Sequence, residues 1–371
     1  MTSPVLITAL KSPAVVSSFS TDDWNQLFAQ LRVSQTALYF LDFIKRNGLI
    51  ESTPNKIINY LENERYKVDY QRNQTIYEVN EINEALSLEG IQAIYLKGAA
   101  YVLADLPIAK WRNFADIDLL VAKKDIANAE ILLKTVGYSS QKTDDYDQKY
   151  YREYMHEIPP LQQIERGTVV DLHHNILPTC ISTPLNINLL AEDSRQDELG
   201  LNSRVFKPEA MFLHSAIHLF QEGEFEKGLR DLLDLSILYQ EFTNGDEAFD
   251  GKVIELAVNS EQQKPLYFAL RFIAKVLHVE LSPVATNFVD TFAQQYRYVK
   301  LTDFIFTHVL IPHHENCRTV KHSLAKLTAY LRGHLMRMPL RLLIPHLIRK
   351  SWVALMKSDL LQKNKKQEIK F

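Results

Sequence analysis

Residues 115–121, "ADIDLLV", set two aspartates one residue apart inside an otherwise apolar run. On a strand, side chains alternate between faces, so Asp116 and Asp118 share one face while Ile117, Leu119 and Val121 share the other. The apolar face can pack on a helix while both carboxylates converge on one spot. Two ionised carboxylates that close repel each other, and one takes up a proton unless a cation sits between them. Magnesium suits such a place, because it prefers hard oxygen ligands and commonly uses one or two carboxylates together with substrate phosphates.

A third acid follows in "TVVDLHH", where Asp171 lies between Val170 and Leu172 and repeats the apolar-acid-apolar pattern. On a neighbouring strand it would reach the same metals. Three acids on adjacent strands suit a centre with two Mg2+ ions, one lowering the pKa of an attacking hydroxyl and the other steadying a departing pyrophosphate. Asp171 would then be the base for the nucleophile. Upstream, Lys97, Gly98 and Arg112 fit the phosphate side, glycine by permitting close backbone approach and the two cations by balancing a triphosphate.

Each of these residues also has a structural reading. Asp116 and Asp118 can cap a turn or pair with Lys110, Arg112, Lys123 or Lys124, and Lys97 and Arg112 can simply be ion-pair partners. Buried strand carboxylates are costly unless paired or metal-bound, and the presence of three favours the metal reading. His173 shares a face with Asp171 and His174 points the other way; substrate contact and a satisfied structural role are both open to them. His214 and His218 have the i, i+4 spacing of a metal pair but lack the Glu of a zinc-protease motif, so packing of their helix against the core is expected. Asp231 and Asp234 in "LRDLLDL" either approach the cleft or solvate their helix.

The elements that must hold these residues are legible from periodicity. Residues 20–87 read as helical, with "STDDWNQLFAQL" offering a Ser/Thr cap and acids in its first turn, and with Thr53-Pro54 opening a long segment whose apolar positions run Ile57, Leu61, Val68, Ile76, Val79, Ile82, Leu86. "IQAIYLKG" reads as a strand ending at Gly98, followed by a short helix in "AAYVLADL". After the "ADIDLLV" strand comes an amphipathic helix that puts Ile126, Ala129, Leu132, Leu133 and Val136 on one side and stops at Gly137. "YYREYMHEIPPLQQIE" and "TVVDLHHNI", joined by a turn at Arg166-Gly167, read as an antiparallel hairpin. Helices return from Pro208 onward, including "LRDLLDLSILYQEF", "PLYFALRFIAKVLH" and a single segment through "FVDTFAQQYRYVKLTDFIF". The expected fold class is α+β: an N-terminal helical region over residues 1–88, a small mixed-sheet α/β core over 89–200, and a C-terminal helical region with a basic tail over 201–371.

Composition agrees with a well-packed globular chain. Of 371 residues 46% are hydrophobic and 23% charged, and 11 glycines stand against 17 tyrosines and 18 phenylalanines, which argues against a glycine-rich dinucleotide fold. Cys180 and Cys317 belong to no ligand spacing, so neither a disulfide framework nor structural zinc is expected. No integral membrane segment and no signal peptide are expected, and a reducing, cytoplasmic setting fits. The net charge of -3 conceals an asymmetry, since from Lys321 onward a dozen Lys and Arg face only Asp359 and Glu368. That tail suits weak contact with an anionic membrane surface or with RNA, and equally a helical end docked by its apolar side.

"LKGAA", then "RNFADIDLLV", then "VDLHHNI" resemble the uncharacterised nucleotidyltransferase family within the DNA polymerase beta-like superfamily. The core of the resemblance covers about residues 90–177, and the flanking helical segments share the look of that family. It implies a nucleotidyltransferase core in which Asp116 and Asp118 bind the catalytic metals, Asp171 completes the triad, and Gly98 lies beneath the triphosphate. Ala99 and Ala100 stand where most members place Gly or Ser, and the interval from Gly98 to Asp116 is longer than usual. The expected activity is transfer of a nucleoside monophosphate from an NTP such as ATP to an unidentified hydroxyl or phosphate acceptor, with pyrophosphate released; the alternative is a non-catalytic nucleotide-binding or scaffold protein on the same fold.

Overall fold

The computed structural model describes residues 4–140, 144–178, 180–181, 185–192, 194–221, 223–337 and 341. Four helices form the N-terminal layer: α1 (Val5–Lys11), α2 (Thr21–Ser34), α3 (Ala37–Arg46) and α4 (Asn55–Ser87). Helix α2 opens with a reciprocal cap, the Ser20 hydroxyl accepting from the Asp23 N–H and the Asp23 carboxylate accepting from the Ser20 N–H. Along the 33 residues of α4, Ile57, Leu61, Val68, Val79, Ile82 and Leu86 are buried as their spacing predicts. The same face carries Glu78, fully buried, which accepts from the Tyr138 hydroxyl, the Arg166 guanidinium and the Thr168 hydroxyl and so fastens α4 to the sheet. Burial pushes the Glu78 carboxyl up, but the hydrogen bonds from these three side chains together hold it below its ordinary value.

The α/β core runs β1 (Ile94–Tyr95), α5 (Lys97–Leu103), β2 (Asp116–Leu120), α6 (Ile126–Thr135), β3 (Tyr138–Ser140), α7 (Asp145–Tyr154), β4 (Leu161–Gln163), β5 (Val169–His173), α8 (Asn188–Ala191), β6 (Arg195–Gln196) and β7 (Arg204–Val205). The strands form one mixed sheet in the order β3-β4-β5-β2-β1-β7-β6. Strands β2 and β5 lie parallel at its centre, Asp116 opposite Val169 and Asp118 opposite Asp171. Both are buried through Ile117, Leu119, Val170 and Leu172. The expected α+β class and mixed sheet are therefore present, with helices on either side in sequence.

The remaining helices are α9 (Pro208–Gln221), α10 (Gly228–Gly245), α11 (Phe249–Asn259), α12 (Gln263–Leu277), α13 (Pro283–Gln295), α14 (Val299–Val309) and α15 (Val320–Arg337). Phe220, Phe268, Phe272 and Phe306 pack ring against ring where α9, α12 and α14 meet, which is where the chain spends its aromatic surplus. No helix among the described residues is long and apolar enough to cross a membrane. The basic tail beyond Arg337, Arg341 excepted, lies outside the described residues.

Three local expectations differ from the structure. The first strand stops at Tyr95, because the chain turns at Lys97 through a left-handed φ of 47° and residues 97–103 are already helical. The first part of "YYREYMHEIPPLQQIE" is helix α7, not strand: the Asp144 carboxylate caps the Tyr146 N–H, and Tyr146, Tyr150 and Tyr154 contact one another at i, i+4. The hairpin itself stands, β4 pairing antiparallel with β5 across a turn in which Gly167 has φ 76°. Finally, "FVDTFAQQYRYVKLTDFIF" is two helices, broken at Tyr296, whose extended backbone ends α13.

Candidate active site

The central pair of strands builds the site. Parallel pairing in register sets Asp118 beside Asp171, and the period of two puts Asp116 and His173 on the same face as these acids. Asp118 is 2% exposed, and its Oδ1 receives Lys97 Nζ at 2.7 Å and contacts His173 Nε2 at 3.0 Å. Burial alone would raise the Asp118 carboxyl, but the Lys97 ammonium and the His173 hydrogen bond hold it well below the usual carboxylate range. His173 is raised in turn: burial disfavours the imidazolium, and Asp118 with Glu157 outweighs that.

Asp171 is the opposite case. Its Oδ1 is buried and has no hydrogen-bond partner among the described residues. Burial, and then the charges of Asp118, Glu157 and Asp116, push its carboxyl up to about 7. Asp116 is raised by burial and by Asp118, against the pull of Lys97. One edge of the acidic row thus holds its proton near neutrality while the middle is firmly ionised. Glu157 belongs to the site because its backbone bridges antiparallel to His173, and potential ligand atoms of His156, Glu157 and His173 lie within 4.8 Å of one another. Residues 156–157 were read in the sequence only as part of a strand, since their approach depends on a non-local bridge.

The two other candidates for phosphate contact are placed differently. Gly98 is buried in the first turn of α5, and a Cβ there would run into the Phe114 ring and come within 2.8 Å of the Phe114 Cβ. The structure therefore gives this glycine a packing reason: only hydrogen fits between α5 and the segment leading into β2. Gly98→Ala should cost about 1–3 kcal/mol by overpacking, read as a lower midpoint in denaturant unfolding; an unchanged midpoint would show that Phe114 yields freely. Ala99 and Ala100 are buried beside it in the core.

Arg112 does not pair with the strand acids. Its guanidinium bonds Asp234 on α10, which also receives the Tyr39 hydroxyl from α3, all three being buried. Burial pushes the Asp234 carboxyl up, opposed by the Arg112 charge. Of the two acids in "LRDLLDL", Asp234 is thus a buried anchor, while Asp231 faces a cavity of about 560 Å³ whose wall includes Lys97, Arg112, Asp116, His218 and Arg230. A second cavity of about 210 Å³ is lined by Gln71, Gln74, Thr75, Arg166 and Thr168, and again by Asp116. Asp116 stands between the two. His214 is buried against Phe206, and burial holds its imidazole well below the ordinary value, so it packs as a neutral ring. His174 is likewise buried with a lowered value.

A mixed sheet whose central parallel strands carry an acid-x-acid element beside a third acid is the frame of a nucleotidyltransferase core. The model of the uncharacterised nucleotidyltransferase family matches residues 20–278, and the chain belongs to that family. No curated protein and no solved structure matches the chain.

Proposed function

We propose that the protein is a magnesium-dependent nucleotidyltransferase that moves a nucleoside monophosphate from an NTP, ATP among them, to a hydroxyl or phosphate acceptor. The observation that carries this reading is that the buried Oδ1 of Asp171, beside the ionised Asp118, has no hydrogen-bond partner among the described residues. An orphaned carboxylate oxygen costs free energy unless something bonds it, and a divalent cation is a guest that Asp116, Asp118 and Asp171 fit together. When bound, such a cation would polarise the phosphate oxygens and offset their charge.

The chain's own residues supply the rest. In this reading the cavity holding Lys97 and Arg112 receives the triphosphate, and the smaller polar cavity on the other side of Asp116 receives the acceptor. Lys97 already lies on Asp118 and brings positive charge to the boundary between strand and cavity. Gly98 acts by letting Phe114 close the wall shared by both cavities. The acceptor oxygen forms a bond to the α-phosphorus, the bond from that phosphorus to the bridging oxygen breaks, pyrophosphate leaves, and Asp171 takes the acceptor proton. A reducing, cytoplasmic setting for this chemistry is part of the same proposal.

The test is pyrophosphate release from each NTP with Mg2+ across a panel of sugar, nucleotide, peptide, protein and RNA acceptors. Release that requires Mg2+ and disappears in Asp171→Asn supports the reading. Nucleotide binding with no release across the panel would leave the scaffold alternative in its place.

The raised Asp171 carboxyl has a consequence for stability. Its folded value, about 7, exceeds the ordinary 3.8, so the folded state keeps a proton that the unfolded chain has lost. Stability of the metal-free protein should fall as pH rises across that window. In chelator, Asp171→Asn is expected to be more stable than wild type at about pH 8 and to converge with it near about pH 4. Denaturant midpoints across pH check this; parallel curves would show that Asp171 is ionised like an ordinary surface acid.

A further inference from the structure

A cavity of about 530 Å³ lies apart from the acidic row, and none of its lining residues belongs to that site. Its wall carries Lys264, Arg332 and Arg341 together with Phe220, Phe268 and Met336. The Arg332 guanidinium sits over the Phe268 and Phe306 rings, 5.7 and 5.3 Å from their centroids, and donates one hydrogen bond, to the Phe220 carbonyl at 2.8 Å. Lys264 lies over the Tyr296 ring at 5.3 Å. Neither cation has a carboxylate partner among the described residues; Glu261, on the same wall, is exposed and pairs with neither.

That arrangement is costly as it stands. Burial lowers the Lys264 ammonium, and the neighbouring Arg332 charge lowers it further; burial also pulls Arg332 down to about 10. Two half-buried like charges that repel each other ordinarily recruit an acid, as Arg271 and Lys275, also on α12, do with Asp303 of α14. The Lys264 and Arg332 pair instead faces a roomy cavity with an aromatic floor. The first turn of α12 also borders it, which puts the positive end of that helix's dipole at the wall.

We propose that this cavity binds a small anionic amphiphile, with a phosphate or carboxylate head held by Lys264 and Arg332 and an apolar body lying on Phe220, Phe268 and Met336. The mixed lining excludes a purely ionic ligand, whose body would leave the rings exposed, and a purely apolar one, which would leave both cations uncompensated. The site is separate in its residues from the acids on β2 and β5, so its occupancy does not depend on the proposed transferase reaction.

The full chain should be titrated by calorimetry with octyl phosphate below its micellar concentration, with inorganic phosphate and with octanol as half-ligands. Octyl phosphate is expected to saturate a single site, and each half-ligand to bind weaker by roughly tenfold or more. Arg332→Gln and Lys264→Gln should each weaken octyl phosphate by about tenfold, and Arg332→Lys, which keeps the charge, by less. Thermal melting of each variant separates lost binding from lost folding. Displacement of octyl phosphate by phosphatidylcholine vesicles containing phosphatidic acid assigns the head to a lipid, and retention in their presence assigns it to a soluble compound; both support the site. No saturable binding, or equal affinity in folded Arg332→Gln and Lys264→Gln, overturns it.

Discussion

Asp116→Asn is expected to reduce nucleotidyl transfer by about 10²–10³-fold or more while leaving the melting temperature unchanged or slightly raised. The two halves of that result have one cause. Asp116 is raised by burial and by the charge of Asp118, so its ionised form is disfavoured in the fold and its removal relieves repulsion. The same negative charge is what would attract a divalent cation between the two cavities that Asp116 lines. Asp118→Asn should abolish transfer as well but behave differently in stability, because Asp118 is the anion to which Lys97 and His173 are bonded. Removing one partner of a buried ion pair typically costs about 3–5 kcal/mol. Turnover and denaturant unfolding measured on both variants check the contrast; transfer that survives in either removes the acidic row from the chemistry.

The other large effect is expected at Arg112 and Asp234. This buried pair, with the Tyr39 hydroxyl on the same carboxylate, joins the segment before β2 to α10 and α3. Arg112→Met leaves the buried Asp234 carboxyl with the Tyr39 hydroxyl but without the guanidinium that opposes its desolvation, and Asp234→Asn leaves Arg112 without its anion. Each should lose about 3–5 kcal/mol, whereas the double replacement Arg112→Met with Asp234→Leu should lose markedly less than the sum. A double-mutant cycle in denaturant reads the coupling; additive losses would mean that the pair contributes no interaction of its own. Arg112 also lines the larger cavity, so a second readout is available. Its single replacement should weaken NTP binding beyond what Asp234→Asn does, if its guanidinium also serves the triphosphate.

Much of this arrangement is legible in the sequence because it is local. The period of two in residues 116–120 places both aspartates on one face, and the spacing of Asp171 between Val170 and Leu172 repeats the pattern on β5. The cap at Ser20, the length of α4 and the stop at Gly137 follow from turn and helix chemistry over a few residues. What the sequence does not display is pairing across long separations. Arg112 lies 122 residues from Asp234, and Tyr39 lies 195 residues from it, so neither partner could be chosen among the chain's many charges. Glu78 sits on the apolar stripe of α4 where periodicity calls for a hydrophobic residue, and only the folded positions of Tyr138, Arg166 and Thr168 account for it. Gly98 was readable as a backbone requirement, yet its neighbour Phe114 shows which requirement the fold imposes. The left-handed turn at Lys97 is similarly tertiary: a non-glycine residue adopts it where its ammonium reaches Asp118.

The acceptor need not be known to test the metal-nucleotide site itself. Calorimetric titration of the wild-type chain with a non-hydrolysable NTP analogue, with Mg2+ and with chelator, isolates binding from transfer, and Asp116→Asn serves as the matched control. The account predicts saturable binding that requires Mg2+ in the wild type and is lost in Asp116→Asn while the variant remains folded. Binding of equal strength in chelator, or undiminished in folded Asp116→Asn, would contradict it.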